Sequence, residues 1–236
     1  MIAIKKHKSF KKIVREWDEI ASLRETQVKS GRDHSANFVL APAILGEIPR
    51  DQSVIDIGCG TGWLTSRVAQ FSREIVGIDP SQKSISIAQL EHHAPKIHFS
   101  ALSVEQYSEL GQTFDVAISN MAASSSPDLG SFIAASRKVL KKQGVYVITI
   151  PHPCFWPMYW GYVSDPNFKY QKSFAVEANF KIQNESSCLV TTHFHHPIEH
   201  YTKVLSDSGF RIDSIKELTG RGFSLPRFML IKSRAI

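Results

Sequence analysis

From Phe10 the apolar residues fall at positions 10, 13, 14, 17, 20 and 21. That three-or-four spacing predicts a helix with one apolar stripe centred on Trp17. A polar stretch, "RETQVKSGRDHS", leads into the apolar-rich "ANFVLAPAILGEI", so residues 1–50 are expected to form N-terminal lid helices. After "PRDQ" the pattern changes to short apolar runs alternating with amphipathic segments. "SVIDI", "EIVGID", "KIHFS", "FDVAIS" and "GVYVITI" predict strands, and 63–71, 82–92 and 129–141 predict helices. Apolar runs of that kind have no polar face to give to water, which predicts a mostly parallel sheet covered by helices on both sides.

The rhythm breaks over 151–193, where Pro151, Pro153, Pro157 and Pro166 stand among Phe155, Trp156, Tyr159, Trp160, Tyr162, Phe168 and Tyr170. So long an aromatic insert predicts a cover over a site. A helix follows over 197–208 with Gly209 as its stop. Strands at "FRIDSIKEL" and "RFMLIKS" bring the count to seven and predict an antiparallel finish.

Charge alters this picture little. The chain has 236 residues and a formal net charge of +6. Residues 5–15 hold Lys5, Lys6, Lys8, Lys11, Lys12 and Arg15 without an acid, which accounts for the surplus. A basic arm is read as a solvated face, with contact to nucleic acid as the alternative. No apolar run approaches the roughly 18 residues of a membrane span. The start has no apolar signal core, so a cytoplasmic location is expected. Cys59, Cys154 and Cys188 lack the spacing of a disulfide framework or metal site. No acidic partner or second ligand run supports a metal at His193, His195 and His196, so none is expected. Oligomeric state stays open, a homodimer among the options.

The chemistry concentrates in "VIDIGCGTGWLTSRVAQ". Where a parallel strand turns into a helix, the helix amides face the crevice in which open sheets bind ligands, and glycines keep side chains out of it. A phosphate-cradling loop would need G-x-x-x-x-G-K-[ST], and neither that spacing nor the lysine is present. The dinucleotide pattern G-x-G-x-x-G has its third glycine position at Trp63, with Gly62 one residue early. That weakens a pyrophosphate reading and leaves a nucleoside cofactor without one.

On these residues the sequence resembles the class I S-adenosylmethionine-dependent methyltransferases, in the Methyltransf_11-like small-molecule branch. Asp56, Gly58, Cys59, Gly60, Thr61 and Gly62 are similar to that family's first motif, and Asp79 with Pro80 in "VGIDPS" to its ribose-binding acid. A carboxylate there accepts hydrogen bonds from two vicinal hydroxyls at once. Ser103 and Val104 stand where the family often carries Asp-Ala against the adenine amine. Asn120 and Met121 stand where its loop lines the methionine end. Trp17 is read either as core or as a cofactor contact, and Cys59 as a small filler. "IPHPCFWP" and "HFHHPIEHYTKVLSDSGF" extend the resemblance toward the C-terminus.

The resemblance implies a Rossmann-like α/β fold and a single domain over 1–236. Its parts would be lid helices (1–50), a cofactor-binding core (51–150), a substrate cover (151–196) and a C-terminal helix with strands (197–236). It implies methyl transfer from S-adenosylmethionine to an O or N atom of a small aromatic or heterocyclic metabolite, as in secondary metabolism. His152 and His195, in the stretches read as cover, are the candidate general bases. Two alternatives stand. An RNA methyltransferase would use the basic arm, though the loop reads "SNMA" and not [DNS]-P-P-[YF]. A catalytically inactive cofactor-binding partner protein is the other.

Overall fold

Along the central strands successive side chains go to opposite faces of the sheet, as the two-residue period of a strand requires. Val54, Val116, Ile118, Val145, Val147 and Leu230 pack on one face. Ile55, Ile57, Ala117, Tyr146, Ile148, Ile150, Met229 and Ile231 pack on the other. Both faces are buried, so the strands read as continuous apolar runs.

The computed structural model describes residues 2–182 and 185–236, without the side chains of 182 and 185–187. Its strands are β1 (Ile2–Lys5), β2 (Ser53–Ile57), β3 (Glu74–Ile78), β4 (Ile97–Ser100), β5 (Phe114–Asn120), β6 (Leu140–Pro151), β7 (Phe174–Ile182), β8 (Glu185–His195), β9 (Phe210–Leu218) and β10 (Phe228–Ala235). The helices are α1 (Phe10–Lys29), α2 (Ala41–Leu45), α3 (Trp63–Ala69), α4 (Gln82–Glu91), α5 (Val104–Ser108), α6 (Leu129–Lys138), α7 (Trp156–Trp160) and α8 (Ile198–Asp207). The main sheet has seven strands in the order β4-β3-β2-β5-β6-β10-β9. All its pairings are parallel except those of β10, which runs antiparallel to both β6 and β9. Leu64 and Val68 of α3 pack on one face, and Phe132 of α6 and Leu205 of α8 on the other. This is the predicted Rossmann-like α/β sheet. Strand order reverses between β2 and β5, and a crevice opens at their carboxyl ends.

Two parts of the cover differ from the sequence expectation. Residues 1–50 do not begin with a helix, and 151–196 is not only a proline-rich cover. β1, β7 and β8 form a second, antiparallel sheet in the order β1-β7-β8, with Ile4 opposite Val176 and Ala175 opposite Phe194. Four residues are too few to display a strand period, and β7 starts where the aromatic insert masks its alternation. The basic arm is also less free than its charges suggest. Lys8 pairs with Glu16 and, at 2.6 Å, with Glu177. Burial opposes its charge, yet the two carboxylates hold its pKa above the usual lysine value. Lys11 and Lys12 stay exposed.

Helix α1 lies across the crevice, burying Ile13, Ile20 and Ala21 on its predicted stripe. Asp18 fixes it there, accepting from Ser81 Oγ at 2.6 Å and from Lys83 N at 3.2 Å at the start of α4. Among the described residues, no helix is long and apolar enough to cross a membrane.

Candidate functional site

The site starts with the turn between β2 and α3. Gly58 N and Cys59 N donate to Ile78 O, which ties the turn to the end of β3. Gly60 N donates to Asp79 Oδ2 at 3.0 Å, and Ser81 N to Asp79 Oδ1 at 2.8 Å. Two backbone amides therefore hold the carboxylate and leave lone pairs on both oxygens for a ligand. Burial raises the Asp79 pKa to about 6, against the lowering effect of those amides. Gly60 has φ 55°, and a Cβ built on it would meet nothing within 4 Å. The bare backbone at Gly60 opens onto space.

That space is a cavity of about 980 Å³. Of the residues expected at a cofactor site, Trp17, Gly58, Cys59, Gly60, Asp79, Pro80, Ser103, Val104, Asn120 and Met121 all line it. Trp17 also packs edge-to-face on Phe180, with ring centroids 6.5 Å apart. Cys59 is buried, which pushes its thiol pKa well above the ordinary value and leaves it a filler, not a nucleophile. Asn120 Oδ1 accepts from Thr149 Oγ1 at 2.7 Å, and its amide group keeps its donors.

Three residues are placed otherwise than the motif suggests. Asp56 and Gly62 do not line the cavity. The Asp56 side chain lies beneath the turn and accepts from Thr65 Oγ1 at 2.7 Å, bracing α3 against β2. Burial raises its pKa to about 7. A Cβ on Gly62 would stand 2.8 Å from the Phe99 ring and 3.0 Å from Ala88 Cβ, so glycine there serves close packing. Ser103 lines the cavity, but its hydroxyl caps α5. Its Oγ accepts from Gln106 N while its own N donates to Gln106 Oε1, the reciprocal pair of a capping box.

His152 and His195 do not reach the cavity. They line a separate crevice of about 10 Å³ behind its wall. His152 is 1% exposed. Its Nδ1 accepts from Cys154 N, so Nε2 carries the hydrogen and donates to Glu217 Oε1 at 2.8 Å. His195 Nε2 donates to Tyr170 O at 3.0 Å, and the ring stacks on Phe174. Burial lowers the His195 pKa. Both His152 nitrogens, and Nε2 of His195, are bonded to the protein itself. His193 does line the cavity, but burial drives its pKa to about 3. Among the described residues, no group of three or more His, Cys, Asp or Glu gathers as a metal site.

At the other end of the cavity stand Trp156 and Tyr159 of the expected aromatic cover, together with Arg24, Asp33, Ser35 and Arg227, which sequence reasoning missed; Arg24 Nη1 pairs with Asp33 Oδ2. Ser35, α7 and Arg227 are far apart in sequence. The aromatic density of 151–170 was the one available signal.

Comparison with known proteins gives a consistent result. Residues 54–144 match the Methyltransf_25 family, described as a methyltransferase domain. The ubiquinone biosynthesis O-methyltransferase of Rhizobium rhizogenes is 36% identical over 100 residues, covering 41% of this chain and 40% of that protein. The protein of the same name from Bartonella quintana is 33% identical over 100 residues, with the same coverage. The aligned stretch is thus about two fifths of the length of these relatives. Among solved structures, the DhpI-SAH complex superposes with a TM-score of 0.67 at 15% identity, covering 94% of this chain and 95% of that one. An S-adenosylmethionine-dependent methyltransferase from Clostridium acetobutylicum gives 0.65 at 15% identity, covering 93% and 98%. These likenesses are of fold. Residues 54–144 are thus similar to a methyltransferase domain, and the chain has the fold of solved S-adenosylmethionine-dependent methyltransferases.

Proposed function

We propose that this chain transfers a methyl group from S-adenosylmethionine to an oxygen or nitrogen atom of a small aromatic or heterocyclic metabolite. The observation that carries the reading is one continuous cavity. It runs from a backbone-held carboxylate at Gly60 and Asp79 to aromatic walls at Trp156 and Tyr159. The near end suits a nucleoside. Gly60 leaves room for it, and Asp79 has acceptor capacity for two vicinal hydroxyls. Bound there, S-adenosylmethionine would supply a methyl group already activated on sulfur.

What is left to the protein is positioning and the exclusion of water. Helix α1 covers the near end through Trp17 and Asp18, while α7 and the β1-β7-β8 sheet wall the far end. In this reading His152 and His195 brace that wall through Glu217 and Tyr170. The relatives' names speak of O-methylation, which agrees with an oxygen acceptor. Their aligned stretch is about two fifths of either protein, so the acceptor is argued from this chain's own cavity.

Calorimetry tests the reading. S-adenosylhomocysteine should bind and raise the melting temperature, as any ligand of the native state does, while NAD and ATP should not. Turnover of a panel of phenols and nitrogen heterocycles then identifies the acceptor. A melting shift with NAD alone would overturn the assignment.

A further inference from the structure

The end of the cavity away from the glycine loop has groups that a nucleoside does not need. Asp79 follows β3 and Arg227 precedes β10, four strands apart in the sheet, or roughly 19 Å at about 4.8 Å per strand. Arg227 Cζ lies 4.1 Å from the ring centroid of Tyr159, 4.3 Å from Phe223, 5.2 Å from Phe228 and 5.8 Å from Trp156. Its Nη1 donates to Ser35 Oγ at 3.2 Å, and its Nε is buried without a hydrogen-bond partner. Among the described residues, no carboxylate comes within ion-pair distance of it.

The nearby acid is already taken, because Asp33 pairs with Arg24. The other carboxylates lining the cavity, Asp79 and Glu105, belong to its opposite end. Arg221 and Lys181 also line the cavity and add positive charge to it. A guanidinium stays protonated even where burial lowers its pKa, as here. Ring faces repay part of what it loses in leaving water, but a neutral site would not place an unpaired cation there. Tyr159 and Phe223 are partly exposed, so a ligand can arrive from solvent. The same rings that hold Arg227 offer flat apolar surface beside it.

We propose that this end of the cavity binds an aromatic acid, a flat ring bearing a carboxylate, with Arg227 as counter-ion and Trp156 and Tyr159 as ring walls. The proposal deepens the methyltransferase reading and rests on it for the ligand's role as methyl acceptor. Binding itself is a property of these residues alone. A carboxylate here would meet the planar fork of the guanidinium, the geometry arginine recognises best.

The test uses two probes of nearly equal shape, 2-naphthoate and 2-naphthamide, titrated against the full chain with and without S-adenosylhomocysteine. The acid should bind at least tenfold tighter than the amide. Arg227→Gln should bring the acid to within about twofold of the amide, and Arg227→Lys should keep part of the preference. S-adenosylhomocysteine affinity should stay within twofold in both variants. Equal affinities in the unaltered protein, no binding of either probe at millimolar concentration, or a preference that survives Arg227→Gln would each overturn the proposal. The wild-type comparison needs no variant and stands even if Arg227→Gln fails to fold. Loss of S-adenosylhomocysteine binding by the wild-type chain, with the naphthoate preference intact, would instead count against the methyltransferase reading.

Discussion

At the β3 end of the cavity a carboxylate is held by the amides of Gly60 and Ser81, beside the bare backbone of the glycine turn. At the β10 end a guanidinium is held by Ser35 and by rings from α7 and from the segment around Phe223 and Phe228. The first end is made by one turn and the strand beside it, so its geometry follows from local sequence. The second exists only when three distant segments meet. An end held by backbone is indifferent to most substitutions, whereas an end built on side chains can be remade by a few. That division fits the family match, which spans residues 54–144 and leaves out the cover.

Gly60→Leu should separate the two ends most sharply. Its side chain would enter open space, at a backbone cost of about 1–2 kcal/mol for a left-handed residue. S-adenosylhomocysteine affinity should fall more than about 100-fold, upwards of ~2.7 kcal/mol, while naphthoate affinity changes less than about threefold. Parallel calorimetric titrations of a folded variant check both. Comparable losses at the two ends would mean that they are not independent.

Asp79→Ala comes next. It removes the acceptor offered to the ribose, and charge-assisted hydrogen bonds contribute about 1.5–3 kcal/mol, so affinity should drop by roughly 10- to 100-fold. Unchanged affinity in a folded variant would reduce Asp79 to a brace for Gly60 and Ser81.

Acid should reproduce part of that loss without a mutation. The folded pKa of Asp79, about 6, lies above the ordinary 3.8. Its proton therefore stabilises the ligand-free fold at low pH, and this contribution is lost as pH rises from about 4 through 6. Asp56, at about 7, acts in the same direction over a window reaching about one unit higher. Ribose hydroxyls favour the ionised Asp79, so S-adenosylhomocysteine should bind about tenfold more weakly at pH 5 than at pH 7. Naphthoate, whose partner is an arginine, should show no such dependence over that range. A flat profile for the nucleoside would remove Asp79 ionisation from the account.

The smallest effect is expected from deleting residues 1–7, which removes β1 and the partly buried Ile2 and Ile4. Partial burial of two such side chains is worth about 1–3 kcal/mol, or a melting shift of several degrees for a chain of this size. Naphthoate should weaken a few-fold because Ile2 lines the cavity, while nucleoside affinity stays within about threefold. Thermal melts with each ligand distinguish this from an arm that merely lies in solvent.

The sequence made the near end legible to the residue at Gly58, Gly60 and Asp79, because a turn that needs bare backbone and a strand that ends in an acid leave a local trace. Gly62 looked identical to Gly60 although its neighbour is the Phe99 ring. Only the packing of β4 against the turn separates them. Seven strands of the main sheet were visible as apolar runs, yet β1 and the β7-β8 hairpin were not. Strands of a half-exposed sheet share their polar residues with loops. His152 and His195 were expected in the cavity because they lie in the cover, but proximity in sequence does not say which side of a wall a ring takes. Both face the 10 Å³ crevice. Arg227 stands at the head of an ordinary apolar strand, and nothing local marks it.

A crystal structure with S-adenosylhomocysteine bound would test most directly whether one cavity serves two ligands end to end. The account predicts the ribose hydroxyls on Asp79, the adenosine against Gly60 and Val104, and unfilled space from Met121 to Trp156, Tyr159 and Arg227. A ribose placed away from Asp79, or a nucleoside occupying the space beside Arg227, would contradict it.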